Sequence, residues 1–579
     1  MDIRNYNQKD ELGMYNLVEF FSGIGSQAKA LRNLDQKVNL VASSEWDVHA
    51  IIAYDLIHNG DDLDSDIAEL DKEAILKMLE PYTFSNTGKH PLAFSSLRTY
   101  SLEVLQHLYM SIRRNHNFVD ISSVDGADLP ANIDILTYSF PCQDLSNVGA
   151  FHGYNKGIDR NSGSRSSLLW QVGRILSDMK NEEIPLPRFL LMENVPTLLS
   201  KRHFTNFSTW ISDLKELGYV SKYYQLNSSD FGLPQNRPRL LMISVYVGDD
   251  PGKTELALDY FRMKEEEQVI QDYRQSSFFH QYTVEDLLRI NYTNPKIFNE
   301  ALECTPNDTV SRRKIWEENP KIILPGNQFN QEIDVVRTIT TKQDRNPNSG
   351  NLYFESGVDG KSQFRYLTPR ECFLFMGFSD DDFRRLKYNN LEFHKGDALF
   401  ARDKVIRMAG NSIPVKMLEG IFYQIIQLDH IFKEYEEHAF LETAELSEKK
   451  RYAKKITRYL FHRKIRCRYP GGQYPETPDI IFPAYRAAVF IQDCFQHGHD
   501  CEDRFNPKIH NEFWRKRIEN TMEADAAKYR DLKKKGWKIR VVWKCELQND
   551  RIAETFKEIE DWLRDECRKV ALKKHEKFA

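Results

Sequence analysis

Cys142 is the residue of this chain whose setting most suggests covalent chemistry. It lies in Tyr138-Ser139-Phe140-Pro141-Cys142-Gln143-Asp144-Leu145-Ser146, just past the apolar run Ile133 to Leu136, which reads as a buried strand. A proline and a cysteine beyond a strand end put a thiol on a tight loop, at the edge where open α/β sheets bind ligands. A lone cysteine is otherwise small buried filler. The surroundings argue for more. Met192-Glu193-Asn194-Val195 closes the next apolar strand, and Gln235-Asn236-Arg237-Pro238-Arg239 follows. A thiol, a carboxylate and guanidinium groups therefore recur at strand ends. Such a thiol acts as thiolate, its pKa lowered by loop amides or a helix start.

A second constellation stands near the C-terminus. Cys494, His499 and Cys501 fall within eight residues, and Cys545 follows the strand-like Ile539 to Trp543. Two close thiols, an imidazole and a distant thiol suit a closed tetrahedral zinc site, with chance clustering as the bland alternative.

The elements that must position these groups begin with the strand Leu17 to Phe21, the turn Ser22-Gly23-Ile24-Gly25-Ser26 and a helix from Gln27 to Leu34. Strand, glycine turn and helix make a nucleotide cradle, because glycine lets backbone N–H groups approach a ligand. A second strand, Val38 to Ser43, leads to Glu45, 22 residues after Gly23, where a carboxylate would meet ribose hydroxyls. Trp46 either lies against an adenine ring or fills the core. Asp120-Ile121 is a third candidate contact. Residues 148–166 are rich in Gly, Asn, Ser and Arg and read as a loop or lid. From Val245 to about Val336 the periodicity breaks down, and Ser311-Arg312-Arg313-Lys314 there either faces phosphate or is a solvated charge run.

At 579 residues, 41% hydrophobic and 12% aromatic, the chain has room for two or three domains with real cores. Eight scattered cysteines without an N-terminal apolar signal suggest a reducing cytoplasmic setting, and no run reaches membrane-spanning length. Charge is uneven. Residues 449–579 hold 32 Lys and Arg against 20 Asp and Glu, a net of +12, so the rest carries −17 of the overall −5. A basic C-terminal part suits nucleic acid, or is a solvated surface.

In order, the glycine turn, Pro141-Cys142, Glu193 and Gln235 to Arg239 resemble the motifs of the cytosine-5 DNA methyltransferases, over roughly Asn16 to Gln427. Arg365-Tyr366-Leu367-Thr368-Pro369-Arg370-Glu371 and Gly410-Asn411-Ser412-Ile413-Pro414 resemble the later motifs. The resemblance implies a doubly wound α/β class I methyltransferase fold, with a smaller target-recognition domain, and S-adenosylmethionine as cofactor. It gives Cys142 the role of nucleophile on carbon 6 of a flipped cytosine and Glu193 that of partner to the base. Arg237 and Arg239 would brace base and carboxylate. Phe21, Gly23, Gly25, Glu45, Trp46, Asp120, Ile121, Pro141, Asn411 and Ser412 would surround the cofactor. Glu19, Ser26 and Ser139 depart from the usual pattern without touching a reacting group.

Residues Ile456 to Glu546 resemble the very-short-patch repair endonucleases, which nick DNA beside T:G mismatches. That resemblance implies an α/β restriction-endonuclease-like domain with structural zinc on Cys494, His499, Cys501 and Cys545. It makes Asp479 the ligand of a catalytic magnesium, His497 the general acid/base, and Asp525 an orienting group. Gln492 replaces a second catalytic histidine, and Gln496 replaces the tryptophan that pairs with a phenylalanine, here Phe495, as a wedge. The acidic residue expected on the preceding helix is not clearly present: Glu448 is the only nearby candidate, and Ala453 stands nearer the expected spacing.

The expected organisation is 1–244 catalytic core, 245–336 target recognition, 337–430 last methyltransferase motifs, 431–455 helical linker and 456–579 endonuclease-like domain. The expected protein is a monomer on double-stranded DNA, of bacterial or phage origin, that both methylates and nicks. The alternatives are a non-cutting zinc-stapled tail, a restriction nuclease, or a DNA-binding regulator with a dead core.

Overall fold

The computed structural model describes residues 14–141, 165–343, 347–394, 396–468, 478–501, 511–548 and 551–575, without the side chains of 165, 437–448, 511 and 566–575. The chain divides into two compact units, Asp2–Ile426 and Gln427–Ala579.

The first unit is built on a six-stranded sheet. Its elements are β1 (Met14–Phe20), helix α1 (Ser26–Asn33), β2 (Lys37–Ser44), β3 (Ile135–Tyr138), helix α2 (Leu169–Asn181), β4 (Phe189–Asn194), β5 (Tyr219–Asn227) and β6 (Pro238–Tyr246). The strand order is β2-β1-β3-β4-β6-β5. β1 pairs in parallel with β2 and β3, and β3 with β4, while β6 runs antiparallel between β4 and β5. β1, β3 and β4 read as near-continuous apolar runs because helices cover both faces of a parallel sheet. Val18, Leu136, Leu190 and Met242 of the sheet are buried with Ile175, Leu176 and Trp210 of the covering helices. The chain leaves β1 for β2 on one side and returns to β3 on the other. That reversal opens a crevice at the carboxyl ends of β1 and β3.

Residues 245–336 are more regular than their pattern suggests. They contain helices Pro251–Met263, Glu266–Arg274, Val284–Leu287, Pro295–Glu303 and Val310–Glu318. These helices are short and fixed at their starts: Asp250, Thr283, Asn294 and Thr309 each accept a backbone N–H as N-cap. None of them exceeds 13 residues, so an apolar stripe repeats at most a few times before the chain turns. Helix α3 (Arg402–Asn411) then carries the last motif. Helix α4, Val415–Phe461, runs for 47 residues and contains the boundary between the units.

The second unit has a three-stranded sheet of β7 (Ile480–Phe482), β8 (Ala487–Gln492) and β9 (Lys538–Trp543), with helix α5 (Asn511–Lys534) between β8 and β9. β7 and β8 are antiparallel, and β8 and β9 parallel. Every residue of β8 is buried. Ile456 and Leu460 from α4, and Ile559 and Leu563 from the C-terminal helix, pack with Ile480, Val489 and Val542 as one core.

Candidate functional site

The crevice of the first unit is a cavity of about 420 Å³. Phe21, Gly23, Glu45, Trp46, Asp120, Ile121, Pro141, Asn411 and Ser412 all line it, together with Glu193, Arg237 and Arg239. Glu45 is held there by three backbone donors. One carboxylate oxygen accepts from the Gly23 N–H at 3.0 Å, the other from the N–H groups of Trp46 and Asp47 at 3.0 and 2.8 Å. Burial, and then the neighbouring Asp47 carboxylate, push Glu45 up to about 7 against these donors. Phe21 and Val119 both adopt the left-handed backbone region on the cavity wall, at φ +59° and +65°. Such strain in bulky residues persists only where the surrounding fold imposes it.

Gly25 is placed differently. It does not line the cavity; a Cβ there would lie 2.2 Å from His58 Nε2, so its glycine serves packing beneath the turn. Glu19 lies there too, buried, accepting from Ala28 N–H at 3.0 Å and from the Tyr54 hydroxyl, and burial pushes it up to about 7. Its extra methylene relative to aspartate reaches the start of α1.

At the chemical end, Cys142 and the loop 148–164 lie outside the described residues. Their anchors are visible. Asn194 donates to the Phe140 carbonyl at 3.1 Å, and Ser166 to the Pro141 carbonyl at 2.6 Å. Glu193 is paired with Arg239 at 2.8 Å, both largely buried. Burial raises Glu193, and Arg239 and Arg237 offset part of that rise. Arg237 is committed elsewhere: its guanidinium donates to the carbonyls of Ile339, Gly410 and Ser412, each at 2.8 Å. It therefore fastens the last motif to the start of β6, while Arg239 makes the 2.8 Å ion pair with the carboxylate. Gly410 is needed for close approach, since a Cβ would meet the Thr340 carbonyl carbon at 2.6 Å.

Several positioning residues escape the motif reading. Asn117 accepts from the Glu45 N–H at 3.0 Å and donates back to the Glu45 carbonyl at 3.0 Å. Arg407 lines the cavity and pairs with Asp47 at 2.8 Å. Its signal was available: it precedes Asn411 by one helical turn, on the same face. Asn117 carries no such signal, being fixed by a long-range contact.

In the second unit, Cys494, His499, Cys501 and Cys545 bring their donor atoms within 4.8 Å of one another. His499 stacks on Trp543 with centroids 4.3 Å apart, and its Nδ1 lies 3.5 Å from Cys545 Sγ. Burial raises the Cys494 and Cys545 thiols; a metal ion reverses such a shift by binding the thiolates. His497 Nδ1 lies 2.6 Å from Asp525 Oδ2, which also accepts from the Gln492 amide at 2.9 Å. Tyr529, one turn after Asp525 on α5, also bonds Gln492. Asp479 Oδ2 accepts from the Ile491 N–H at 2.7 Å. Its Oδ1 lies 3.3 Å from Lys449 Nζ, so the helix residue facing it is a cation. Phe495 is buried, 5.6 Å from the Trp514 ring, and is not presented as a wedge.

Residues 81–427 match the family described as C-5 cytosine-specific DNA methylase, and residues 438–503 match the DNA mismatch endonuclease Vsr. The orphan methyltransferase M.SssI of Spiroplasma monobiae is 30% identical over 418 residues, 70% of this chain and 96% of its own. The Type II methyltransferase M2.ScrFI of Lactococcus lactis subsp. cremoris is 28% identical, over 72% of this chain and 99% of its own. The Type II nicking enzyme V.NmeAIP of Neisseria meningitidis is 35% identical over 111 residues, 18% of this chain and 79% of its own.

Proposed function

The chain belongs to the C-5 cytosine-specific DNA methylases and, through its C-terminal unit, to the Vsr mismatch endonucleases; from that premise we propose a chain that methylates cytosine in DNA and nicks T:G mismatches that arise at the methylated site. The observation that carries the first activity is the Glu193–Arg239 pair, lining one cavity together with Phe21, Ser22 and Gly23, with Cys142 following the cavity residue Pro141 in sequence.

S-adenosylmethionine fits this cavity, where Glu45, Trp46, Asp120, Ile121 and the Asn411-Ser412 turn would hold it, and it supplies an electrophilic methyl group. The target carbon of cytosine is a poor nucleophile and lies inside the duplex, so the base is flipped out. Cys142 thiolate adds to carbon 6, which makes carbon 5 an enamine carbon able to accept the methyl group. Loss of the carbon-5 proton then expels the thiolate. Glu193 hydrogen-bonds N3 and the exocyclic amine of the base and so stabilises the charge that builds on addition; burial raises its pKa and the Arg239 pair offsets part of that rise. Arg239 keeps it oriented. Bisulfite sequencing of DNA from cells expressing the protein tests this: methylcytosine at one sequence is expected, and unmodified DNA from well-expressed protein overturns it.

In the tail, the four donors fit a structural zinc ion in number, type and spacing. His497 and Asp525 form the acid–base pair: with the proton on Nδ1, Nε2 is left to move a proton at the phosphodiester. The donor set around Asp479 does not fit magnesium as it stands, since Lys449 faces its open oxygen and, among the described residues, no group of metal-ligating side chains includes it. This observation and Gln492 favour a second reading, a tail that binds mismatched DNA without cutting. A T:G duplex in the methylated sequence, against its C:G counterpart, separates the two: nicking by wild type and not by His497→Ala supports the first, and mismatch binding without nicking the second.

A further inference from the structure

We infer that Lys449 holds the cation position of the tail's Asp479 and competes there with a divalent metal ion. The inference rests on the reading of Asp479 as the metal-binding carboxylate of the endonuclease-like unit.

The carboxylate is oriented by the sheet. Asp479 immediately precedes β7, and the Ile491 N–H of β8 holds its Oδ2 at 2.7 Å. The remaining oxygen, Oδ1, meets the Lys449 ammonium at 3.3 Å. That lysine is not on a loose segment: Tyr452, Ala453 and Ile456, in the next two turns of α4, are buried in the core of the unit. The register of the helix thus fixes which side chain reaches Asp479. Ala453, one turn further on, occupies a buried core position where no charge could take the lysine's part.

An ammonium at one carboxylate oxygen opposes a divalent cation at the same oxygen in two ways. It occupies the position, and it repels the incoming charge. The pair is nonetheless accessible, with the Lys449 side chain 42% exposed and Asp479 20%. Exposed lysine pairs are weak and their side chains reorient readily. Lys449 is therefore a competitor that yields at sufficient metal concentration, and it sets a threshold for loading.

The test uses the full-length, zinc-loaded protein and manganese(II) as the probe, with free ion followed by its electron paramagnetic resonance signal. Wild type, Lys449→Ala, Lys449→Arg and Asp479→Asn are compared, each checked for intact methyl transfer and unchanged circular dichroism. Lys449→Ala is expected to bind manganese about tenfold more tightly than wild type, because one repelling charge is gone. Lys449→Arg should stay near wild type, and adding Asp479→Asn to Lys449→Ala should abolish the gain. Equal manganese affinity in wild type and Lys449→Ala overturns the inference. So does a Lys449→Ala protein that loses nicking without gaining metal, which would assign the lysine to the chemistry itself. Nicking of the T:G duplex is read in parallel. Tighter manganese binding with no nicking by any variant leaves the competition standing and removes the nuclease reading, whereas normal nicking with unchanged manganese affinity does the reverse.

Discussion

The two units keep their chemical groups in opposite conditions. In the first, the described groups at the chemical end are partnered: Glu193 has Arg239, Glu45 has three backbone N–H donors, and Arg237 ties the last motif to the sheet. In the second, the four groups proposed to hold the fold converge, while those that would cut depart from the expected pattern. Four metal donors converge, yet Asp479 faces an ammonium and an amide stands at Gln492. Fold and chemistry are thus separable demands on a sequence: four converging donors can fix chain geometry whatever the neighbouring carboxylate does.

The sharpest way to break this contrast is to remove the clamp. Structural zinc sites contribute about 10–16 kcal/mol to folding, more than a small unit can lose. Cys545→Ala, or chelation, should abolish the melting transition of the C-terminal unit, while methyl transfer continues. Full-length protein without stoichiometric zinc that retains a folded tail would show that the apolar core of Ile456, Val489 and Ile559 suffices.

The second largest effect belongs to the first unit. Cys142→Ser should lower methyl transfer by about 10⁴-fold or more, since removing a nucleophile forfeits the covalent route. DNA binding should persist. Wild type should form a stable adduct with 5-fluorocytosine DNA, because fluorine blocks the final elimination; an active protein that forms none would lose its assigned nucleophile.

Sequence legibility follows the same division. The Gly23 turn, Glu45, Glu193 and the four metal donors could be read because each sits at a strand end or at a spacing set by chemistry. Gly25 could be seen as a turn glycine, but not as one facing His58 and Tyr54. Arg237 immediately precedes β6 and Arg239 lies within it, two residues apart, so strand alternation alone would put both on one face. Which of them met the carboxylate and which the last motif was decided by tertiary contacts and was not legible. Lys449 escaped because it lies in a charge-dense helix, where only the tertiary register decides which cation meets Asp479. The helices between Pro251 and Glu318 escaped because each is short, although start signals such as Asp250-Pro251 and Asn294-Pro295 were there to be read.

Gln492 allows the contrast to be narrowed. Its amide donates to Asp525 and bonds the Tyr529 hydroxyl, so it helps hold the orienting carboxylate but cannot carry a proton near neutral pH. Gln492→His should raise nicking of a T:G duplex by roughly 10²-fold, the lower end of general acid–base help. The melting temperature should change little, since an imidazole can keep one of the two bonds. No gain in nicking, with folding intact, would place the defect at Asp479 rather than at proton transfer.

The smallest effect tests whether the first site is as prepared as it looks. Burial and Asp47 raise Glu45 from its ordinary 4.5 to about 7, so at neutral pH it is only partly ionised in the free protein. Ribose hydroxyls donate hydrogen bonds, and an ionised carboxylate accepts them better, so cofactor binding should draw the proton off. Affinity for S-adenosylmethionine is therefore expected to rise about tenfold between pH 6 and pH 8, following the ionised fraction of a group near 7. Stability of the free protein should move the other way. A carboxyl raised on folding adds stability below its unfolded value, and that stability is lost as pH rises through the folded value; Glu19, also pushed to about 7, adds to the same trend. Glu45→Gln should flatten the pH dependence of binding, and Glu19→Gln should reduce that of stability while leaving the binding profile in place. Calorimetric titration at the two pH values decides it. An affinity that is level across the range in wild type would mean that Glu45 is already ionised and that its three backbone donors outweigh burial.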